Sequence, residues 1–158
     1  MESRQHLGTL VFNPSKDDVR RFFCDAWTRH RQGSVLTPLE SIAVDWIRHH
    51  PEYHDELSNA DAAVARDYSI DDGRTNPFLH LSMHLAIAEQ LSVDQPPGIR
   101  AAHRRLVGRL GDEHEAAHAV MDCLGEIVWS AQRAGSPVPP AEMSARYLDC
   151  LERKASAD

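Results

Sequence analysis

The spacing of apolar residues along the chain predicts one α-helix after another. Apolar side chains recur at intervals of three and four residues, the period that places them on one face of a helix, and no stretch shows the two-residue alternation of a strand. The predicted long helices cover approximately residues 15–33, 37–50, 77–91, 98–110, 113–134 and 140–151, with shorter helical pieces ending at 57 and covering 61–66. We therefore predict an all-α fold, a single-domain bundle of five to six helices over residues 1–158, with a polar C-terminal tail from about residue 153.

Capping residues and prolines mark where these helices begin and end. Ser15 can cap the first helix, and residues 37–40 have the Thr-x-x-Glu pattern of a capping box with proline at the first helical position. Asn76, followed by Pro77, opens the helix over residues 77–91 in a similar way. Pro51 cannot donate a hydrogen bond to the preceding turn, so we expect it to kink or restart the helix that approaches it.

Composition and charge narrow the class of protein. Hydrophobic residues make up 42% of the 158 residues and charged residues 26%, the balance of a globular chain. No apolar run approaches the ~18 residues that span a bilayer, and residues 1–10 lack the pattern of a signal peptide, so we expect a cytoplasmic protein with no membrane partner. A net charge of −7 argues against nucleic-acid binding, which depends on neutralising phosphates. The sequence names no small-molecule or protein partner and no oligomeric state.

The three cysteines are far apart in the sequence and form no Cys-x-x-Cys pair. Cys24, Cys123 and Cys150 are an odd number without metal or redox spacing, which favours free thiols in a reducing cytosol. Apolar neighbours predict that Cys24 and Cys123 are buried and react slowly. Cys150, near the C-terminal tail, is expected to react most readily.

Histidines supply the candidate chemistry. Three pairs of histidines are spaced four residues apart, whereas random placement of ten histidines in this chain would give fewer than one such pair. The pairs are His50 and His54, His80 and His84, and His114 and His118. This spacing puts both imidazoles of a pair on one helix face about one turn apart, where they can share a metal ion. Neutral imidazole is a common ligand of zinc, iron, copper and nickel.

The neighbours of each pair rank the candidate ligands. One pair lies in the apolar stretch 78–85, and another is followed, at the same four-residue interval, by Asp122 and Glu126. Glu126 lies in the apolar run 124–129, where burying an unpartnered carboxylate would be costly. Pro51 disturbs the geometry of the first pair, and Asp122 is assigned to a weaker or supporting role. The predicted ligands are His80, His84, His114, His118 and Glu126, with His50, His54, Glu115 and Asp122 as weaker candidates, and the predicted ion is zinc or iron.

Two shorter motifs in the segment 114–118 suggest specific enzymes. The segment matches His-Glu-x-x-His, the zinc-binding and general-base motif of metalloproteases. It lies in the first turns of its helix, and no edge strand is evident to hold a peptide substrate, so this interpretation ranks third. The same segment contains Glu115-x-x-His118, an element of ferritin-like di-iron bundles, which require two such elements and two further glutamates. Only one element is present, and a histidine-rich set is closer to hemerythrin-like or DinB-like bundles.

Several blocks of the sequence resemble a known family. The blocks are residues 12–14, 37–40, 50–54, 73–80, 95–100 and 113–129. Together they resemble the bacterial family catalogued as domain of unknown function 1841. The resemblance implies a small bacterial protein and supplies no activity, cofactor or catalytic residue.

The residues alone therefore leave two classes of function open. The first is a transition-metal-binding helical bundle. Such a bundle could carry out redox or oxygen chemistry, or it could be a metal-dependent hydrolase or transferase. The second is a non-catalytic helical interaction or adaptor protein whose histidines only pack and form hydrogen bonds. Fold analogy cannot choose between them, because one fold serves many functions.

Overall fold

The computed structural model describes residues 15–66, 68 and 76–156. This part of the chain contains eight α-helices, one short 3-10 helix and no strand, so the all-α fold class is confirmed. The helices are α1 (Lys16–Arg31), α2 (Pro38–Arg48), the 3-10 helix η1 (Pro51–Tyr53), α3 (His54–Leu57), α4 (Ala60–Ala65), α5 (Pro77–Val93), α6 (Ile99–Leu110), α7 (Glu113–Arg133) and α8 (Pro140–Ser156). The predicted count of five to six was wrong because the short helices α3 and α4 are separate elements. Residues 12–14 and 73–75, which belong to blocks of the family resemblance, lie outside the described residues.

The chain divides into two compact units, Met1–Ala86 and Ile87–Asp158. The prediction of a single domain is therefore not confirmed. Helix α5 contains the boundary between the units in its sequence. No described helix combines the length and the apolar character that crossing a membrane requires.

The long helices α1, α2 and α5 begin where the sequence predicts. The Ser15 hydroxyl accepts a hydrogen bond from the backbone N–H of Asp18 at 3.0 Å. The predicted capping box is formed: Thr37 Oγ1 accepts from the backbone N–H of Glu40 at 3.1 Å, and Glu40 Oε1 accepts from the backbone N–H of Thr37 at 2.8 Å. Asn76 Oδ1 accepts from the first backbone N–H groups of α5. Each cap satisfies donors that a helix N-terminus leaves unpaired.

The core of unit 1 brings helices α1, α2 and α5 together with the short elements between them. Its buried members are Phe23, Cys24, Trp27, Ala43, Ile47, Tyr53, Leu57, Ala63, Phe78 and Leu81. Arg20 is buried beside this core with its guanidinium group over the rings of Tyr68 and Phe78. Its Nη1 donates to the carbonyls of Ala63 at 2.8 Å and Arg66 at 2.6 Å, at the C-terminal end of α4. The positive charge therefore lies where the helix dipole favours a cation.

Unit 2 is built on mutual packing of α6, α7 and α8. Its central side chains, which include Ile99, Leu106, Val120 and Leu151, are fully buried. A disulfide bond between Cys123 and Cys150 joins α7 to α8.

The cysteine predictions are partly confirmed. Cys24 is a buried free thiol, and burial raises its pKa to about 11. The predictions of a free thiol at Cys123 and a reactive thiol at Cys150 were wrong. These residues lie 27 positions apart in sequence, and the packing of α7 against α8 brings their Cα atoms to 5.9 Å. Sequence spacing alone could not reveal this pairing, because it depends on how two helices pack.

Candidate metal centre

Three histidines of unit 1 point their ring nitrogens at one another. His50 lies just before η1, and His80 and His84 are one turn apart on α5. The Nε2 atoms are 3.3 Å apart for His50 and His80, 3.4 Å for His50 and His84, and 3.2 Å for His80 and His84. His50 and His84 are buried, and His80 is half-buried. We call these three residues the histidine triad; two of its members, His50 and His84, are among the residues that could hold a metal ion.

Proline at position 51 brings His50 into the triad. Helix α2 ends at Arg48, and Pro51 opens a new helical turn, in which the Tyr53 N–H donates to the His50 carbonyl at 3.0 Å. His50 itself has a non-helical backbone conformation, with φ −126° and ψ 66°, between the two elements. The sequence predicts a break at Pro51 and ranks His50 as a weaker ligand because of it. The structure instead directs the His50 ring toward α5.

Two aromatic rings pack on the triad, and sequence reasoning missed both. The Trp46 ring is stacked on His84 with centroids 3.9 Å apart and planes 12° apart. The Tyr53 ring is stacked on His50 with centroids 5.0 Å apart and planes 13° apart. Stacking restricts how an imidazole can rotate, so both rings help to fix the directions of the Nε2 atoms. Trp46 lies four residues before His50 on the predicted apolar stripe, which was the available signal.

The carboxylate of Glu52 is hydrogen-bonded to Nδ1 of His50, the ring nitrogen that faces away from the other two histidines of the triad. Glu52 Oε2 lies 2.9 Å from His50 Nδ1. Partial burial alone would raise the pKa of Glu52, but the hydrogen bonds that its carboxylate forms with the His50 ring and with the backbone outweigh it and hold the pKa below its usual value. Glu52 was not among the predicted ligands, although it lies two residues after a histidine and directly after a proline.

His54, the other weak histidine candidate of unit 1, has different neighbours. Its Nε2 donates to the carbonyl oxygen of Ile47 at 2.9 Å, and its ring packs on Trp27 with centroids 4.3 Å apart. Both contacts belong to the core of unit 1. The structure therefore separates two residues that the sequence treated as one pair.

In unit 2, His114 and His118 lie on the first turns of α7 with ring centroids 4.3 Å apart. Both are half-buried, and both are among the residues that could hold a metal ion. The three acidic candidates on this helix, Glu115, Asp122 and Glu126, are exposed. The expectation that apolar neighbours bury Glu126 was wrong, because its side chain lies on the solvent side of α7, with Oε2 3.8 Å from the Sγ atom of Cys150.

Comparison with known protein families gives a match. A family model described as Domain of unknown function (DUF1841) matches residues 15–153, which is most of the chain. No curated protein and no solved structure matches the chain. The site therefore has to be interpreted from its own geometry.

Proposed function

The chain belongs to the family Domain of unknown function (DUF1841), whose description names no activity, and from the geometry of the histidine triad we propose that it is a transition-metal-binding protein. The observation that carries the proposal is the mutual approach of three Nε2 atoms to within 3.4 Å. Both the hydrogen-bonding capacity of the three rings and the size of the triangle they form support a bound metal ion.

Hydrogen bonds alone cannot satisfy a triangle of three imidazole nitrogens. Each Nε2 either carries a proton and donates, or carries a lone pair and accepts. Whatever the distribution of protons, at least two of the three atoms have the same role and face each other unfavourably. A cation at the centre accepts all three lone pairs at once, which removes the conflict.

The size of the triangle matches a tetrahedral metal ion. Zinc–nitrogen bonds of ~2.0–2.1 Å place neighbouring tetrahedral ligands about 3.3–3.4 Å apart, and the observed edges are 3.2, 3.3 and 3.4 Å. Neutral nitrogen donors select zinc, iron, copper or nickel over magnesium and calcium, which prefer oxygen. Zinc is the first candidate and iron the second.

A zinc ion held by neutral imidazoles keeps its full positive charge, which favours Lewis-acid chemistry. An ion of this kind lowers the pKa of a bound water to ~7 and polarises carbonyl or phosphoryl groups. Di-iron bundles instead surround their metals with carboxylates, whereas Glu52 bonds to the outer nitrogen of His50. We therefore favour a metal-dependent hydrolase or transferase over a redox or oxygen-handling protein.

His114 and His118 are proposed as further ligands on their spacing and on the proximity of their rings. Their membership in the same centre as the triad stays a prediction. Glu126, Glu115 and Asp122 are left out of the proposed ligand set because they are exposed.

The test compares the metal content of matched histidine variants. Protein made without a histidine tag, loaded with zinc and freed of excess metal, is expected to retain zinc by elemental analysis. His80→Ala and His84→Ala should lose it, whereas His49→Ala, which changes an exposed histidine beside the site, should not. Parallel variants of His114 and His118 determine whether unit 2 contributes ligands.

The competing proposal is a non-catalytic adaptor with structural histidines, and a chelator distinguishes the two. A metal that binds only the native state stabilises it by about 2.7 kcal/mol at a hundredfold excess over Kd. A chelator should therefore lower the unfolding temperature of the wild type and leave that of His84→Ala unchanged. A wild type that contains no metal and whose unfolding temperature is unchanged by the chelator would support the adaptor proposal.

A further inference from the structure

We infer that Glu52 is a positioning residue of the metal centre, which fixes the tautomer of His50 and strengthens its Nε2 as a ligand. This inference rests on the proposed metal-binding function. Glu52 was not among the ligands predicted from the sequence, and its proposed role does not require it to coordinate the metal.

The first support is the geometry of the contact. Glu52 Oε2 and His50 Nδ1 are 2.9 Å apart, within the range of a strong, charge-assisted hydrogen bond. The His50 side chain is only 5% exposed, whereas the Glu52 side chain is 58% exposed. Glu52 therefore connects solvent to the outer edge of a buried ring whose inner nitrogen faces the triad.

The second support is the chemistry of the two partners. An ionised carboxylate can only accept hydrogen bonds, so the proton of a neutral His50 must be on Nδ1. The lone pair is then on Nε2, the atom that lies 3.3 Å from His80 Nε2 and 3.4 Å from His84 Nε2. Hydrogen-bonded carboxylates behind metal-bound histidines fix the ring and raise the basicity of the ligand nitrogen in this way.

The neighbouring His54 provides an internal contrast. Its Nε2 lies 2.9 Å from the carbonyl oxygen of Ile47, which can only accept, so the proton of a neutral His54 is on Nε2. Two histidines four residues apart are thus held in opposite tautomers by different acceptors. Only the tautomer of His50 presents a lone pair to the triad.

The backbone holds the Glu52 carboxylate beside His50 with little loss of conformational entropy. Pro51 fixes one dihedral angle of the segment between the two residues, and the Tyr53 N–H to His50 carbonyl bond of 3.0 Å closes the turn. The carboxylate is therefore already placed beside His50 when a metal arrives. Such preorganisation reduces the ordering that metal binding would otherwise require.

The experiment measures zinc affinity by competition with a chromophoric chelator in the full chain. Glu52→Ala should weaken zinc binding about 10–100-fold. Glu52→Gln keeps an acceptor but not the charge, so its affinity should lie between those of the wild type and Glu52→Ala. Asp55→Asn removes an exposed carboxylate three residues away and should bind zinc as the wild type does.

A second readout separates positioning from folding and does not require metal. Nitrogen-15 NMR of the metal-free wild type should show His50 protonated on Nδ1, and Glu52→Ala should shift it toward a mixture of tautomers. The metal-free variants should unfold at temperatures close to that of Asp55→Asn.

The outcomes are distinguishable. If the wild type binds no zinc, the proposed function fails. If the wild type binds zinc and both Glu52 variants bind it equally well, or if His50 is protonated on Nε2, metal binding stands and the role of Glu52 is overturned.

Discussion

Removing the disulfide bond of unit 2 should destabilise the protein by a calculable amount. The bond closes a loop with a sequence separation of 27 residues. In the chain-entropy model a loop of this length lowers the entropy of the unfolded chain by about 12 cal/mol/K, which corresponds to about 3.5 kcal/mol at 25 °C. Replacing Cys123 and Cys150 together with alanine should lower the free energy of unfolding by about that amount, plus the packing lost with two buried sulfur atoms.

Urea unfolding followed by circular dichroism measures the difference. Cys24→Ala is the matched control, since it removes a buried sulfur that forms no crosslink and should cost only about 1 kcal/mol. In denaturant, thiol titration of the oxidised wild type should find one free thiol per chain. Three free thiols, or a double variant as stable as Cys24→Ala, would refute the reasoning.

Three further predictions concern unit 1. Arg20→Ala should lower the free energy of unfolding in urea by about 2–4 kcal/mol because it leaves buried carbonyls without their donor. The exposed neighbour Arg21 pairs with Asp61 only at 3.5 Å, so Arg21→Ala should lower it by less than ~1 kcal/mol. Equal losses for the two variants would contradict the prediction. Cys24 should react very slowly with iodoacetamide at pH 8 because its pKa is about 11, and rapid labelling of the native protein would contradict this. Since that pKa is raised above the unfolded value of 9.0, the contribution of Cys24 to stability should be present below pH 9 and lost as the pH rises through 11. Thr37→Ala should lower the free energy of unfolding by about 1 kcal/mol through loss of the α2 cap, and Thr37→Ser should restore most of it; no difference between the two would argue against the capping box.

Local signals in the sequence were sufficient to predict most of the helices. Ser15, Thr37 and Asn76 cap the helices they were expected to cap, because capping depends on a few adjacent residues. The disulfide bond was not predictable in this way, since it depends on the packing of α7 against α8. The exposure of Glu126 shows the same limit: apolar neighbours in sequence do not determine which face of a helix a residue occupies.

The candidate metal site was predictable only in part. The i,i+4 spacing correctly placed His80 and His84 together on one helix face, where their Nε2 atoms are 3.2 Å apart. The same rule treated His50 and His54 as a pair, but a four-residue spacing places two side chains on one face only within a continuous helix. Pro51 interrupts the helix, so His50 turns toward α5 while His54 bonds to the Ile47 carbonyl. Trp46 belongs to the site through its stacking on His84, a tertiary contact that no residue spacing encodes.

The most direct test of the account is anomalous X-ray diffraction from crystals of the tag-free protein soaked in zinc, with data on both sides of the zinc absorption edge. The account predicts one strong anomalous peak about 2.0–2.1 Å from the Nε2 atoms of His50, His80 and His84. The same map would show whether His114 and His118 coordinate zinc. Three unliganded imidazoles in a zinc-soaked crystal, or a zinc peak elsewhere with the triad empty, would contradict the central claim.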